Sequence, residues 1–429
     1  MMEMDGAEDE VEVDEQEAVG EVDEDQILQV ITLEQNGAEV ADEQVDEEQD
    51  SEDDFTATVQ GEHVDMEEGM EPAPDDTSIM TFAEHSSDVF CVDIGPKSMA
   101  ASGGQDDKGF VWNFDTGAVL FESGAMFKDS VTWVRFNAKL SYLVMADMSG
   151  RICVLDVSDP AAICVVAELT DASDIEWITW HHAADILFAG TADGLIWMWL
   201  ITGKGEHPKS RIFSAMGTGT NCGVLLRDGK HLIAGYEDGV VRIWDLKSET
   251  CAKITGTSAC AVTALDASQL QPVAVLGYAD GQFALLNTDS AKILSTTFRA
   301  QAASAVDDPD AGEGARESTD YDSIEAVSFN PASANTYAIG SLKGILEIWD
   351  TGTVRSKCQH PAGIVKCQWI SPTHLVTAAL DGQLRLWDVR NGTSLKEWTG
   401  HSKEILDFAI RDGKIISASA DRTCKVFAL

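Results

Sequence analysis

Three sets of histidine, hydroxyl and aspartate residues recur in the sequence at nearly constant spacing. In each set a His stands 20 or 21 residues before an Asp, and a Ser or Thr stands four residues before the same Asp. A catalytic triad is built from the same three groups, and its imidazole activates the hydroxyl as a nucleophile. The sets are His85, Ser102 and Asp106; His360, Thr377 and Asp381; and His401, Ser417 and Asp421.

The repetition of this trio argues against a hydrolase. None of the three hydroxyls lies in the Gly-x-Ser-x-Gly turn that exposes a nucleophilic Ser above a sheet. Trp112 and Trp387 stand six residues after the Asp in two sets, where an indole N–H can donate to the hydroxyl. Phe427 takes this position in the third set and cannot donate. We therefore predict a buried structural hydrogen-bond network and no catalytic residue.

The same alignment extends over eight repeats. Successive repeats are 38 to 45 residues apart, except for one interval of 63 residues. A period of about 40 to 45 residues with four short strands is typical of a WD40 propeller blade. The sequence therefore predicts an all-β fold, an eight-bladed WD40 β-propeller. The residues that define the register are Trp112, Leu155, Trp199, Trp244, Leu286, Trp349, Trp387 and Phe427.

Two irregularities of the repeats have specific explanations. The last repeat stops after its third strand, so the outer strand of blade eight must come from the other end of the propeller sequence. Ile79 to Phe82 is the strand-like segment there. The long interval reflects an insertion at about residues 300–322, whose Ala, Gly, Asp and Glu content predicts a disordered acidic loop.

Charge is distributed unevenly along the 429 residues. Residues 1–78 contain 31 Asp and Glu and no Lys or Arg, whereas residues 79–429 contain 43 acids and 29 bases. Phe55 is the only Phe, Tyr or Trp before Phe82, so the first segment lacks the apolar surface that would offset the entropy of ordering. We predict a disordered acidic tail at residues 1–78 and the propeller at residues 79–429.

The amino-acid composition limits the kinds of molecule that the protein can bind. The nine Cys residues form no C-x-x-C pair, and neither a signal peptide nor a membrane-spanning apolar run is present. We expect a monomeric intracellular protein, cytoplasmic with the nucleus as a second location, without cofactor or metal. A net charge of −45 disfavours nucleic acid and anionic membranes and favours a basic protein or peptide as partner.

Topology locates the surface that would bind this partner. In a four-stranded antiparallel blade the first strand begins on the rim where the second strand ends, so the loops at both points share that rim. Acidic residues predominate at these positions, and Lys128 and Lys403 are the exceptions. An ordinary solvated rim is the alternative to an acidic binding site. The predicted site residues are Asp88, Asp129, Asp174, Glu176, Glu237, Asp322, Glu325 and Glu404.

Several segments of the propeller have a familiar sequence. The stretches TFAEHSSDVFCVDI, GGQDDKGFVWNF, GYEDGVVRIWDLK and GHSKEILDFAI resemble the angio-associated migratory cell protein family, and the likeness runs from about Thr81 to the C-terminus. That family is similar to a fungal WD40 protein that is a dedicated chaperone of a large-subunit ribosomal protein and holds its basic N-terminal segment. The resemblance implies a role in ribosome assembly, with that segment as the partner.

Two other classes of binding protein stay open from the sequence. Trp387 to Arg390 contains the W-D-x-R pattern of substrate receptors for cullin ubiquitin ligases, a pattern that is common in WD40 repeats in general. A signalling scaffold linked to cell migration and angiogenesis is the second alternative, because vertebrate relatives are associated with those phenotypes. The fold alone does not distinguish these functions.

Overall fold

The computed structural model describes residues 75–205, 207–214, 217–255, 258–298 and 322–429. These residues form eight sheets, each of four antiparallel strands, so the predicted eight-bladed all-β fold is confirmed. The acidic tail up to residue 74 and the acidic insertion up to residue 321 lie outside the described residues. In the part of the chain that is described, no helix is long and apolar enough to cross a membrane.

Blades one to four use the strands in chain order, from the innermost to the outermost. Blade one has β2 (Val89–Ile94), β3 (Met99–Gly104), β4 (Gly109–Asn113) and β5 (Val119–Glu122). Blade two has β6 (Val131–Phe136), β7 (Tyr142–Asp147), β8 (Ile152–Asp156) and β9 (Cys164–Leu169). Blade three has β10 (Ile175–Trp180), β11 (Ile186–Thr191), β12 (Leu195–Leu200) and β13 (Lys209–Ser214). Blade four has β14 (Thr220–Leu225), β15 (His231–Tyr236), β16 (Val241–Asp245) and β17 (Cys251–Ile254).

Blades five to eight repeat this order, with one exception in the last blade. Blade five has β18 (Val262–Ala267), β19 (Val273–Tyr278), β20 (Gln282–Asn287) and β21 (Lys292–Phe298). Blade six has β22 (Ile324–Phe329), β23 (Thr336–Ser341), β24 (Ile345–Asp350) and β25 (Thr353–Gln359). Blade seven has β26 (Ile364–Ser371), β27 (His374–Ala379), β28 (Leu384–Asp388) and β29 (Thr393–Trp398). Blade eight has β30 (Ile405–Arg411), β31 (Lys414–Ser419), β32 (Cys424–Ala428) and, as its outermost strand, β1 (Met80–Phe82).

The eight blades form a closed ring around a central channel. Each innermost strand contacts the innermost strands of both neighbouring blades, and the circuit closes where β30 of blade eight meets β2 of blade one. Apolar side chains fill the spaces between adjacent sheets, which places the core between blades. Burial of this apolar surface is the main force that holds successive blades together.

The predicted closing strand is present. β1 pairs with β32 in antiparallel register, with Met80 opposite Val426 and Phe82 opposite Cys424. Phe82 is buried and stacks on Trp112 of blade one, with 4.4 Å between the ring centroids. β1 therefore completes blade eight and also seals its interface with blade one.

The ordered contacts begin before the predicted boundary at Ile79. We name residues 75–78 the anchor segment. Thr77 and Thr399 exchange hydrogen bonds, with a backbone N–O distance of 2.9 Å, and Lys425 Nζ donates to Asp76 at 2.5 Å. The anchor segment thus belongs to the propeller and joins the end of blade seven to blade eight.

Tight turns between the second and third strands need residues that tolerate positive φ. In six blades a Gly stands five residues before the register residue of the third strand, and all six have φ between +75° and +92°, as the hairpin geometry requires. These glycines are Gly150, Gly194, Gly239, Gly281, Gly344 and Gly382. The neighbouring blade adds a second constraint at Gly194, where a Cβ atom would lie 2.4 Å from the carbonyl oxygen of Thr218. Asp107 and Arg422 adopt positive φ in blades one and eight, which lack this glycine.

Candidate functional site

The first predicted network, in blade one, is buried and fully hydrogen-bonded. His85 Nδ1 donates to Asp106 at 3.0 Å, and Ser102 Oγ donates to His85 Nε2 at 2.9 Å. Trp112 Nε1 donates to Ser102 Oγ at 3.2 Å. Burial would raise the pKa of Asp106, but the hydrogen bond from His85 outweighs burial and lowers it.

Blade eight contains the same arrangement without the indole. His401 Nδ1 donates to Asp421 at 2.8 Å, and Ser417 Oγ lies 2.7 Å from His401 Nε2. Phe427 approaches the imidazole edge-on, with 6.5 Å between the ring centroids. Ser417, like Ser102 of blade one, has no exposed surface, so a substrate cannot reach either hydroxyl. These trios lie in the two blades that meet where the ring closes.

Blade seven differs from the prediction. Thr377 lies 3.2 Å from His360 Nε2 and accepts from Trp387 at 2.9 Å, but Asp381 does not contact His360. Arg385 lies between them and donates to Asp381 at 2.6 Å and to His360 Nδ1 at 3.2 Å. The correction has a simple physical reason, since a guanidinium with five donors binds both groups at once.

In other blades the indole N–H equivalent to that of Trp112 donates to residues that the repeat spacing did not reveal. In blade four Trp244 Nε1 donates to the hydroxyl of Tyr236 at 3.2 Å, and in blade six Trp349 Nε1 donates to Glu347 at 3.2 Å. In blade three the indole nitrogen of Trp199 is buried without a hydrogen-bond partner among the described residues. Asp280 of blade five has Leu276 instead of a hydroxyl residue four positions before it, and it accepts a hydrogen bond from Ser258 at 2.8 Å.

A β-bulge occurs at the second residue of every innermost strand. The register of each β-ladder shifts between the first and third residues, so the second residue is left out of the pairing. Bulges re-aim side chains, and here all eight side chains are at least partly exposed while the residues before them are buried. The bulge residues are Phe90, Thr132, Glu176, Asn221, Thr263, Glu325, Val365 and Leu406. Glu176 and Glu325 are the charged members of this ring at the channel mouth.

Four of the predicted carboxylates lie in neighbouring loops of blades two to four, and we name Asp129, Asp174, Glu176 and Glu237 the acidic sector. All four residues are exposed. Partial burial of the Glu176 carboxyl and the negative charges of Glu237 and Asp174 raise its pKa. Among the described residues, no Lys or Arg pairs with any member of the sector. The sector is thus a concentration of uncompensated negative charge.

A cavity of about 470 Å³ opens beside the acidic sector. Three of the four sector carboxylates line it, and its other walls are largely apolar. Met148, at its edge, is half exposed. The lining residues are Phe90, Asp129, Thr132, Trp133, Met148, Asp174, Ile175 and Glu176. Carboxylates above apolar walls suit a Lys or Arg side chain, whose methylene stem is apolar and whose end is charged.

The rim around the acidic sector contains few bases. The described loops of this rim in blades three to five, at residues 170–174, 192–194, 217–219, 237–240, 258–261 and 279–281, contain no Lys or Arg. Lys128 and Lys403, the predicted exceptions, are exposed on the rim in other blades. The described rim loops of blades three to five therefore contain acidic residues and no basic residue.

The remaining predicted rim residues have different surroundings. Glu325 lines the central-channel cavity of about 410 Å³ together with Trp177 and Lys366. Asp322 accepts a hydrogen bond from the backbone N–H of Lys343 at 2.8 Å, so its carboxylate stabilises the turn before blade six. Asp88 and Glu404 lie on the rim of blades one and eight, outside the acidic sector.

Below the bulge ring, ion pairs cross between innermost strands. Asp407 of blade eight pairs with Lys366 of blade seven at 2.7 Å and with Arg135 of blade two at 3.5 Å. Burial would raise the pKa of Asp407, but Lys366 and Arg135 outweigh burial and lower it. This cluster was not predicted. Lys366 and Asp407 are both the third residue of an innermost strand and Arg135 is the fifth, and the alignment does not indicate which residues of different repeats meet across the channel.

The W-D-x-R pattern and the adjacent histidines His181 and His182, which could suggest a metal site, have plain structural explanations. In the W-D-x-R pattern, Arg390 donates to Asp388 of its own turn at 2.9 and 2.6 Å. His181 is buried and accepts the backbone N–H groups of Ala183 and Ala184. No group of three or more His, Cys, Asp or Glu residues in the described ranges has the geometry to hold a metal ion.

Comparison with known proteins gives the family. The model for the WD domain, G-beta repeat, matches residues 76–113, 218–245 and 392–427. Angio-associated migratory cell protein from Canis lupus familiaris is 38% identical over 375 residues, which cover 84% of this chain and 82% of the dog protein. The human protein of that name is also 38% identical, over 371 residues with the same coverage. This chain belongs to the angio-associated migratory cell protein family.

Solved structures similar to this family member include Sqt1. Saccharomyces cerevisiae Sqt1 matches with a TM-score of 0.71 and 20% identity, covering 83% of this chain and 100% of that protein. Chaetomium thermophilum Sqt1 bound to the N-terminus of the ribosomal protein L10 matches with the same TM-score, identity and coverages. At this identity the likeness establishes the fold, and the WD40 propeller supports a protein-binding role.

Proposed function

We propose that the acidic sector, together with Glu325, binds a basic peptide and that the protein escorts a large-subunit ribosomal protein during ribosome assembly. The observation that carries the proposal is the set of carboxylates that share a rim with no cation paired to them. Cationic side chains in that space would relieve the repulsion between the carboxylates and form charge-assisted hydrogen bonds. The rim is therefore complementary in charge to a basic segment.

The structural likeness supports the choice of partner. The Chaetomium propeller was solved with the N-terminus of ribosomal protein L10 bound, so a propeller of this fold accommodates such a segment. We carry that partner to this chain as a proposal. We also propose that the protein acts without catalysis, because the trios of blades one and eight that resemble catalytic groups are buried.

The geometry suggests how a peptide would lie. Glu176 and Glu325 occupy bulges of blades three and six, so a chain that crosses the channel mouth meets both carboxylates. Phe90 and Met148 flank the cavity beside Glu176 and would cover the stem of a Lys or Arg side chain. Complementary charge would also speed capture of the segment.

Reversal of three carboxylates tests the proposal. Glu176→Lys, Glu237→Lys and Glu325→Lys together should weaken binding of an L10 N-terminal peptide by at least about 100-fold, since each reversal replaces attraction by repulsion. The fold should persist, because exposed carboxylates contribute little to stability. Calorimetric titration at low and high salt measures the loss, and wild-type affinity should fall as salt screens the charges.

A matched control separates the rim from net charge. Asp115, Asp159 and Asp289 lie in loops on the opposite face, and their reversal to Lys changes the net charge equally. This control should bind the peptide nearly as well as wild type. An affinity that changes neither with salt nor with the rim reversal would contradict the acidic-rim mechanism. Equal losses of affinity in the rim variant and the opposite-face control would contradict it as well. In an affinity purification, a ligase adaptor or a receptor tail as the stoichiometric partner would contradict the ribosomal role.

A further inference from the structure

The ring of bulge residues at the channel mouth has two chemically different parts. Blades seven, eight and one supply three consecutive apolar side chains, each partly exposed, and we name Val365, Leu406 and Phe90 the apolar arc. The other five blades supply Thr, Asn or Glu at this position. Exposed apolar side chains that are adjacent to one another and surrounded by polar residues are typical of a binding surface.

An ion pair and a hydrogen bond fix the apolar arc from below. The residues next in sequence to Val365 and Leu406 form the ion pair, in which Lys366 Nζ donates to Asp407 Oδ1 at 2.7 Å. Asp407 Oδ2 accepts the backbone N–H of Val92 in blade one at 3.1 Å. The three strands that carry the arc are therefore joined directly beneath it. A surface held in this way loses little conformational entropy when a ligand covers it.

Two cavities at the channel mouth each combine a glutamate with a member of the apolar arc. Glu176 and Phe90 line the cavity of about 470 Å³ beside the acidic sector. Glu325 and Val365 line the cavity of about 410 Å³ in the central channel, and Trp133 lines both cavities. The two carboxylates that face a peptide at the channel mouth are therefore each accompanied by apolar surface.

The charges on the rim favour one orientation of a peptide. In blade eight the exposed bases Lys403 and Arg422 offset the neighbouring acids. The described rim loops of blades three to five contain acids and no base. Cationic side chains are therefore drawn toward the polar part of the ring, and the apolar arc is left to uncharged side chains.

We propose that the apolar arc binds an aliphatic or aromatic side chain of the same basic peptide that occupies the acidic sector. The partner segment therefore combines basic residues, bound by Glu176 and Glu325, with an apolar residue beside them in sequence. Successive side chains of an extended peptide point to opposite sides, so a basic residue can face a carboxylate while its neighbour faces the arc. This inference rests on the proposed function of the rim and adds a second requirement to it, by which the protein distinguishes among basic peptides.

Two synthetic peptides of equal charge test this requirement. Both contain four Arg residues separated by Gly and Ser, and one carries two Leu residues beside Arg where the other carries two Asn residues. The full chain should bind the Leu peptide at least about 10-fold more tightly, because an aliphatic side chain is buried on the arc. Added NaCl should weaken both complexes and preserve this ratio, since salt screens charge and not apolar burial. Fluorescence anisotropy measures the affinities, and equal affinities of the two peptides would overturn the inference.

Substitutions with a matched control locate the preference on the apolar arc. Val365→Thr together with Leu406→Asn should abolish the preference for the Leu peptide and leave the affinity for the Asn peptide within about 2-fold of wild type. The control carries Val354→Thr and Leu395→Asn on outermost strands, where the two side chains are 46% and 52% exposed. It should keep the full preference. A preference that survives in the arc variant, or that is lost in the control, would overturn the inference.

A single substitution guards against an effect on folding. Val365 also packs against the core between blades seven and eight, so the melting temperature of each variant is measured. Leu406→Asn alone should reduce the preference for the Leu peptide at least about 3-fold, because part of the arc remains. An unchanged preference in this variant, with a melting temperature equal to that of wild type, would contradict the proposal.

Failure of the proposed function gives a different pattern. The variant with Glu176, Glu237 and Glu325 reversed to Lys is measured with the same two peptides. If neither peptide binds the full chain saturably, or if this variant binds them as wild type does, the rim is not the site and the proposed function fails. If both peptides bind the full chain with equal, salt-dependent affinity and the reversal abolishes binding, only the role of the apolar arc is disproved.

Discussion

Arg385 reverses the hydrogen-bonding roles of the imidazole in blade seven. In blades one and eight Nδ1 faces a carboxylate, so Nδ1 carries the proton and Nε2 accepts from the Ser hydroxyl. In blade seven Nδ1 faces a guanidinium that can only donate, so His360 must accept there and carry its proton on Nε2. One substitution on the third strand thus selects the other tautomer within an otherwise similar blade.

Acid should destabilise the protein through His360. Burial and the charge of Arg385 lower the pKa of His360 to about 4. The unfolded chain takes up this proton near pH 6.5 and the folded chain does not, so the free energy of unfolding falls as pH drops from about 6.5 to about 4, by up to about 3 kcal/mol. His360→Gln should flatten this part of the curve when urea unfolding is measured at a series of pH values.

The expected flattening is partial. Burial also lowers the pKa of His181 and of His182, so both add to the wild-type slope in the same direction. An unchanged slope between pH 6.5 and 4 in His360→Gln would contradict the assignment of a neutral His360. The same variant should show little loss of peptide binding, because His360 is buried away from the acidic sector.

Side chains could be predicted from the sequence where the same residue types recur at the same position of several repeats. A network that repeats at one spacing, such as His85, Ser102 and Asp106, is visible in the sequence. Tyr236 and Glu347 reach the same indole from other positions of the blade, so no fixed spacing reveals them. The strand positions of Glu176 and Glu325 predicted that these residues lie on the rim. The bulge that turns them toward the channel mouth could not be predicted, because the residues at the bulge position share no residue type and range from Phe90 to Thr263.

The outermost strand of blade eight should be essential despite its length. A chain that begins at Ala83 loses β1 and the anchor segment, exposes the edge of β32, and removes Phe82 from Trp112. Loss of a buried Phe side chain alone costs about 3 to 5 kcal/mol. We expect a melting temperature lower by well over 10 °C, or aggregation through the unpaired edge, in differential scanning calorimetry.

The chain that begins at Asp75 is the control for this deletion. It keeps β1 and the contacts of Asp76 with Lys425, so its melting temperature should match that of the full chain within a few degrees. A similar melting temperature for the chains that begin at Ala83 and Asp75 would show that β1 does not close the ring in solution.

At the scale of the whole ring, charge supplements apolar packing in the channel. Asp407 links blades seven, eight and two through Lys366 and Arg135, across the closure where β30 of blade eight meets β2 of blade one. Asp407→Asn should lower the free energy of unfolding by about 1 to 3 kcal/mol, because two partly exposed cations lose their carboxylate partner. Urea denaturation measures the loss.

A double variant tests whether Asp407 and Lys366 act as a pair. Addition of Lys366→Met to Asp407→Asn removes one of the uncompensated cations, so the double variant should be more stable than the sum of the two single losses allows. Additive losses would show that the charges act independently and that the cluster does not couple the blades.

The order of the strands also sets the timing of folding during synthesis. Among the described strands β1 leaves the ribosome first, and β32, the strand that pairs with it, leaves last, about 350 residues later. At about 5 to 20 residues per second, Met80 to Phe82 wait roughly 20 to 70 s before they can pair. The first seven blades can assemble in that interval, but blade eight and the seal against blade one cannot. Synthesis of β32 is therefore the step that allows the ring to close, and a nascent chain that lacks β32 remains open however long translation pauses.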